Sequence, residues 1–159
     1  MKRYSSAASL ALAVVAVLAL AGPVAAGEQV PFKGGYEGED VGTPLAPPLA
    51  SAEVTAAGNA TQLGNFTFTQ VATVDTMTRI ASGVFQFTAA NGDTVFGTVV
   101  GQATFTPPNV LTILETATIQ GGTGRFAGAT GRISITRLKN AVTGETVCSF
   151  EGSISSPGS

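Results

Sequence analysis

The sequence "IQGGTGRFAGATGRISI", residues 119–135, contains five glycines between Gly121 and Gly131. β-Branched residues alternate with polar ones on both sides of these glycines, which is typical of β-strands. Clustered glycines between two strands have two possible uses. They can hold a phosphate against exposed backbone N–H groups, or they can let a sheet bend sharply.

A dinucleotide site does not fit this segment. Gly122, Gly124 and Ala127 match the pattern G-x-G-x-x-A, and Glu145 follows at about the spacing of a ribose-binding acid. That pattern binds pyrophosphate only where the turn opens a helix. Here further glycines and then alternating isoleucines follow, so no helix can begin. The sequence also lacks G-K-[ST], which excludes a P-loop.

Bending is therefore the favoured interpretation. Gly121 and Gly122 supply a turn, and Gly128 and Gly131 let the following strand coil or bulge at a barrel corner. We expect Phe126 to fold over a neighbouring glycine and cover its backbone.

Period-two alternation continues along the chain and predicts an all-β fold. A loop is predicted over residues 38–50, and Asn91-Gly92 predicts a type I′ hairpin turn. We expect a single eight-stranded antiparallel β-barrel, with a β-sandwich as the alternative, because closure removes exposed strand edges. The eight predicted strands cover approximately residues 30–37, 51–59, 64–74, 82–90, 94–106, 110–120, 124–138 and 146–155.

Residues 1–26 have the layout of a cleavable signal peptide. Lys2 and Arg3 precede an apolar run over residues 10–21, and small residues follow it. The run is shorter than the roughly 20 residues of a spanning helix. We predict a secreted or periplasmic protein with no membrane association after cleavage, a barrel domain over residues 27–154 and a disordered tail over residues 155–159.

Composition removes several kinds of chemistry. Loss of Lys2 and Arg3 leaves six of the eight basic residues against ten acidic ones, a formal net charge of −4, which disfavours nucleic acid. The chain has no histidine and one cysteine, so it lacks the residues for histidine-based triads and for imidazole or thiolate metal sites. Cys148 is predicted to be a buried, inert thiol. No cofactor and no metal are expected.

Four phenylalanines are candidates for the barrel lumen. Phe66 and Phe68 share one face of the third strand, and Phe85 and Phe87 share one face of the fourth. An eight-stranded barrel is just wide enough to be filled by side chains or to hold one small ligand. These rings are therefore predicted either to plug the lumen or to bind a ligand there.

Glu115 is the candidate for chemistry. It shares a strand face with Ile113 and Ala117, so a lumen-facing Glu115 would be a carboxylate in apolar surroundings, able to act as a general acid or base or to bind a ligand. The competing interpretation, which we favour, is an ion pair with an arginine such as Arg132 or Arg79, or an outward orientation.

Two other charged features are assigned to the surface. Glu37, Glu39 and Asp40 match no calcium-loop spacing and are predicted to form a solvated acidic turn. Arg125 beside the glycines could bind an anion, but a plain surface position is favoured.

The sixth strand predicts self-association. Val110 and Leu114 lie on the face opposite to Ile113, so both faces of this strand are apolar. Strands of this kind are often covered on both sides, and a second subunit could cover the outer one.

"GGTGRFAGATG", together with "FTAANGD" and "LGNFTFT", resembles small secreted bacterial proteins of the allene oxide cyclase-like, or dirigent-like, barrel group. The resemblance covers roughly residues 32–154 and implies an eight-stranded barrel and a homotrimer. It carries over no catalytic residue, because no motif for the cavity residues of those families is recognisable here. One fold hosts many functions.

Three functions remain open. The favoured one is an exported barrel that binds a small, mostly apolar molecule without turnover. The second is a cyclase or isomerase that uses Glu115 inside the cavity, and the third is a structural or cell-surface interaction protein with a filled barrel.

Overall fold

The computed structural model describes residues 27–158. The predicted signal peptide, residues 1–26, lies outside the described residues, as does Ser159. Residues 27–158 form eight strands and one short 3-10 turn. The strands are β1 (Gln29–Pro44), β2 (Leu49–Ala60), β3 (Gly64–Asp75), β4 (Ile80–Ala89), β5 (Thr94–Thr106), β6 (Val110–Gly122), β7 (Gly131–Asn140) and β8 (Glu145–Ser155).

The strands close into one antiparallel barrel, which confirms the predicted fold over the sandwich alternative. Each strand pairs with the next along the chain, and β8 pairs back with β1. Gly34 of β1, for example, lies opposite Ala60 of β2 on one side and Phe150 of β8 on the other. A closed sheet of this kind has no free edge.

Alternating side chains divide the barrel into a lumen and an outer surface. In half of the lumen, aromatic rings pack against one another around Phe87, which is fully buried. Its ring centroid lies 4.9 Å from that of Phe68 and 5.4 Å from that of Phe150. Offset and edge contacts of this kind stabilise a core beyond the area that they bury. The rings of this aromatic cluster belong to Phe32, Phe66, Phe68, Phe85, Phe87 and Phe150.

Glycine permits the tight curvature, and it does so in most of the barrel rather than in one segment. At Gly97 an added Cβ would meet the carbonyl oxygen of Thr118 and the Cα of Ile119 on the paired strand. The register between β5 and β6 shifts between Phe96 and Gly97, which leaves Gln120 of β6 as the extra residue of a β-bulge. Similar contacts with the backbone of a neighbouring strand recur at Gly34, Gly38, Gly58, Gly83, Gly131 and Gly152.

The glycine-rich segment closes one end of the barrel. β6 ends at Gly122, residues Gly124–Phe126 make a single 3-10 turn, and Phe126 is buried. An added Cβ on Gly122 would lie 2.7 Å from the Cβ of Phe126, so Phe126 covers this glycine as predicted. No α-helix opens here. The predicted start of the seventh strand at Gly124 is wrong, because the chain first crosses the barrel end and enters β7 only at Gly131.

Two other local predictions need correction. The predicted loop over residues 38–50 is a continuation of β1 to Pro44, and the connection is only residues 45–48. The predicted type I′ turn at Asn91-Gly92 is wrong, because Gly92 has a φ of +91° but Asn91 does not adopt positive φ. The turn is instead closed by a hydrogen bond from the N–H of Gly92 to the carbonyl of Ala89.

The predicted tail contributes hydrogen bonds at the closed end. Ser155 ends β8, the N–H of Ser156 donates to the carbonyl of Glu28, and the N–H of Gly158 donates to that of Arg125. Between Gly27 and Gly158, no helix has the length and hydropathy that crossing a bilayer would require.

Candidate functional site

Polar side chains occupy the half of the lumen opposite the glycine-rich end. They come from β1, β3, β6 and β7, where strict alternation directs them inward. The residues of this charged cluster are Asp40, Gln70, Glu115, Arg137 and Lys139.

Arg137 is the centre of the charged cluster. Its Nε donates to Oε2 of Glu115 at 3.1 Å, and its Nη2 donates to Oε1 of the same carboxylate at 3.3 Å. Its Nη1 donates to Oδ2 of Asp40. The planar guanidinium therefore joins β1, β6 and β7 across the lumen, a geometry suited to bidentate carboxylate pairing.

Lys139 and Gln70 complete the cluster. Lys139 Nζ donates to Oδ1 of Asp40 at 2.7 Å, and Gln70 Nε2 donates to Oε1 of Glu115 at 2.8 Å. Gln70 is 2% exposed, and its Oε1 has no hydrogen-bond partner among residues 27–158. A buried hydrogen-bond acceptor without a partner lowers the stability of the fold, and a donor supplied by another molecule would remove this cost.

Arg137 keeps its charge in this setting. Burial by itself lowers the pKa of the Arg137 guanidinium, but the opposite charge and the hydrogen bonds of Glu115 act against it. Tyr36 and Asp40 act in the same direction as Glu115, and the pKa of Arg137 rises above its usual range.

A cavity of about 190 Å³ opens beside the charged cluster, and we call it the mouth cavity. The charged cluster forms its polar side. Its apolar wall consists mainly of small aliphatic side chains, and Arg79 lies at its rim. The wall residues include Ala50, Ala52, Ala72, Val74, Ala81, Ala103, Leu111 and Ile113.

Tyr36 and Cys148 lie in the lumen beside the charged cluster. The ring of Tyr36 stacks on Phe68 at a centroid distance of 4.5 Å, and its buried hydroxyl has no partner of hydrogen-bonding geometry within the described chain. Burial and the neighbouring Cys148 raise the pKa of Tyr36 above its usual range. Burial raises the pKa of Cys148 to about 12.

Cys148 is expected to be unreactive in the folded protein. Its folded pKa of about 12 lies above the value near 8.5 of a free thiol, so the fold favours the protonated form. This contribution to stability is fully present below about pH 8.5 and is lost as the pH rises toward 12. A thiol reagent at pH 8 should label the urea-unfolded protein quickly and the native protein only as fast as it opens. Rapid labelling in native buffer would contradict the buried position.

The structure separates the predicted site residues into two groups. Phe66, Phe68, Phe85 and Phe87 face the lumen as expected, but they belong to the aromatic cluster, and none of the four lines the mouth cavity. Their role in binding stays a prediction. Glu115 also faces the lumen, is 5% exposed and does line the cavity.

The structure agrees in part with each of the two interpretations of Glu115, a lumen-facing carboxylate and an ion-paired one. The carboxylate faces the lumen beside a void, and it is also paired with an arginine. The predicted partners, Arg132 and Arg79, are wrong, because the partner is Arg137. Arg132 points outward from β7, whereas Arg137 lies on the inner face of that strand.

Asp40 also departs from prediction. It does not belong to a solvated acidic turn, since it is 3% exposed and bonded to Arg137 and Lys139. Arg125 is a half-exposed residue as favoured, and its Nε lies 3.3 Å from Oδ2 of Asp93 at the closed end. Across residues 27–158, no group of three or more histidine, cysteine, aspartate or glutamate side chains is placed to hold a metal ion.

These features define a closed eight-stranded barrel in which one half of the lumen is packed with rings and the other holds a cavity with a charged side. No protein-family model matches the chain, and no curated protein matches it in sequence. In structure it is similar to the pterocarpan synthase dirigent protein GePTS1, with a TM-score of 0.58 and 12% identity, over 95% of this chain and 96% of that one. The chain thus has the fold of the dirigent and allene oxide cyclase-like barrel group.

Proposed function

We propose that this barrel binds one small, mostly apolar molecule in the mouth cavity, without turnover. The observation that carries the proposal is the composition of that cavity, which has a wall of aliphatic side chains and a polar side with a buried, unpartnered acceptor on Gln70. Binding sites commonly combine an apolar lining with a few convergent polar groups. The dirigent-like fold supports a lumen role of this general kind.

The cavity volume limits the ligand. An apolar cavity of about 150 Å³ holds benzene, whereas sites for drug-sized ligands run from about 300 to 1,000 Å³. At about 190 Å³, the mouth cavity suits one six-membered ring or a short chain with a polar substituent. A hydroxyl or amide N–H on the ligand would satisfy Gln70 Oε1.

The hydrogen bonds of Glu115 favour binding over turnover. Its two carboxylate oxygens already accept three hydrogen bonds, from Arg137 and Gln70. A general base needs a lone pair directed at the substrate proton. Here three of the roughly four lone-pair sites of the carboxylate are engaged by neighbours that hold it in place, which leaves one site on Oε2.

An isomerase or cyclase is the second candidate, and one observation favours it. Glu115 is buried and lines a void, which is the arrangement that such an enzyme would require. The similar protein of known structure is described as a synthase, a statement about that protein alone.

We also propose an exported, self-associating protein. Export rests on the sequence pattern of residues 1–26. Self-association rests on apolar side chains left on the outer surface, among them Leu114 of β6 at 59% and Val100 of β5 at 56% exposure. Three subunits are the number implied by the family resemblance.

Native mass spectrometry of protein purified from its own host tests these proposals together. We expect a trimer mass and one retained small molecule. The Ala103→Leu variant projects three further carbons into the mouth cavity, so it should lose that molecule and weaken its rebinding at least tenfold. Thr104→Leu, on the outer face of the same strand, is the matched control and should keep it.

The outcomes separate the candidate functions. A retained molecule that is recovered unchanged after prolonged incubation supports binding without turnover, and recovery of an isomer of equal mass supports the enzyme instead. Absence of any retained molecule, together with equal behaviour of the two variants, would favour a structural barrel. A monomer mass would overturn the proposed self-association.

A further inference from the structure

Arg79 holds an unusual backbone conformation at the rim of the mouth cavity. It ends the connection between β3 and β4 with a φ of +59°, in the left-handed region. Glycine or asparagine adopts this region at little cost, whereas for other residues the backbone strain is on the order of 1–3 kcal/mol. An arginine in such a position is a conformational outlier that lines the cavity.

Hydrogen bonds on both sides fix this conformation. The N–H of Arg79 donates to the carbonyl of Asp75 at 2.7 Å, and the N–H of Ala103 donates to the carbonyl of Arg79 at 3.0 Å. The connection is also closed internally, because Oδ1 of Asp75 accepts hydrogen bonds from the N–H groups of Met77 and Thr78. Arg79 is therefore anchored to Ala103, which itself belongs to the cavity wall.

Within the described chain, the ion pairs around the cavity do not include Arg79. Among the cavity-lining residues, Glu115 pairs with Arg137, and Asp40 pairs with Arg137 and Lys139. Three cations and two carboxylates line the cavity, and within residues 27–158 Arg79 forms no ion pair. The rim thus carries one positive charge that no described carboxylate neutralises.

We propose that Arg79 selects the ligand, and that the ligand is a small organic carboxylate. Its apolar body enters the mouth cavity, and its carboxylate pairs with the Arg79 guanidinium at the rim. Arginine forms two parallel hydrogen bonds with a carboxylate, so an arginine whose backbone is fixed at the opening can give both affinity and orientation. A hydroxyl at the far end of the same molecule would reach Gln70. This inference rests on the proposed binding function and specifies its ligand.

A matched pair of probes tests it. Cyclohexanecarboxylate and cyclohexanemethanol share one carbon skeleton and differ in charge. Calorimetric titration of the wild-type protein at low salt should give at least tenfold tighter binding of the carboxylate. Raising the salt concentration should reduce this preference, because the rim is exposed.

Substitutions of Arg79 test whether this residue causes the preference for the carboxylate probe. Arg79→Asn keeps a side chain that tolerates positive φ, so the variant should fold as stably as the wild type while losing the preference for the carboxylate. Arg79→Lys should restore part of that preference, and Arg132→Gln on the outer face of β7 should change neither affinity.

Failure of this inference is distinguishable from failure of the proposed function. Equal binding of both probes by the wild type, with Ala103→Leu abolishing it, would overturn the role of Arg79 and leave the binding function standing. Binding of neither probe, with no retained molecule from the host, would overturn both.

Discussion

Replacing Arg137 with leucine is expected to lower the free energy of unfolding by about 3–5 kcal/mol. Arg137 donates to both oxygens of Glu115 and to Asp40, and all three side chains are at most 5% exposed. Leucine would leave two buried carboxylates with only Lys139 and Gln70 as partners. Urea unfolding monitored by circular dichroism measures the loss, read from the midpoint at unchanged slope.

Two controls identify the cause. Arg132→Leu removes an exposed arginine from the same strand and should cost under about 0.5 kcal/mol. Adding Glu115→Gln and Asp40→Asn to Arg137→Leu removes the buried negative charges and should recover much of the loss, since a buried ion pair contributes little net stability once both partners are replaced. A loss below about 1 kcal/mol in the single variant would contradict the buried network.

The barrel was predictable because alternation and glycine placement are local signals. Inner and outer faces follow directly from side-chain period, as at Phe66 and Phe68. The error at β1 has a specific cause. Glycine and acidic residues are depleted in strands, so Gly38 and Asp40 favour the prediction of a loop at this point in the sequence. In the structure, Gly38 lets β1 approach Ala56 of β2 closely. Asp40 forms ion pairs with Arg137 and Lys139 of β7.

The candidate site was only partly predictable. Period-two alternation groups Glu115 with Ile113 and Ala117 on one strand face but does not say whether that face is the lumen; in the structure it is the inner face. The same alternation from Ile133 and Ile135 would have placed Arg137 and Lys139 on the inner face of β7. Which arginine meets Glu115 depends on the register between β6 and β7, which is a non-local property. Register puts Glu115 opposite Ile135, and Arg137 is the next inward residue along β7.

The aromatic residues show the same limit. Alternation directs Phe85 and Phe87 into the lumen, but it carries no information about which half of the lumen is filled. Filling depends on residues that closure brings together, such as Phe32 and Phe150 from the two ends of the chain. The mouth cavity exists because alanines occupy the corresponding inward positions of the other half.

Replacing Gly131 with alanine is expected to lower the free energy of unfolding by about 3 kcal/mol, at the upper end of the usual cost of overpacking. An added Cβ would meet the carbonyl oxygen of Ser153 and would lie 2.9 Å from the Cα of Ile154. These are backbone atoms of β8, so no side-chain rotation can relieve the contact. β7 and β8 would have to separate where the glycine-rich segment enters the sheet. Thermal and urea unfolding of the variant measure the cost.

Gly42→Ala is the matched control, because Gly42 also lies on the inner side of a strand but has room for a methyl group. The nearest atom to an added Cβ there is the carbonyl oxygen of Ser51 at 3.8 Å. Alanine at an unstrained position reduces the entropy of the unfolded chain, so this variant should be unchanged or more stable by up to about 1 kcal/mol. If Gly131→Ala lowers the free energy of unfolding and Gly42→Ala raises it, the curvature of the barrel depends on the close backbone approach that glycine permits. Equal small effects would mean that the strands can separate freely, and the glycines would then not be what holds the barrel to its radius.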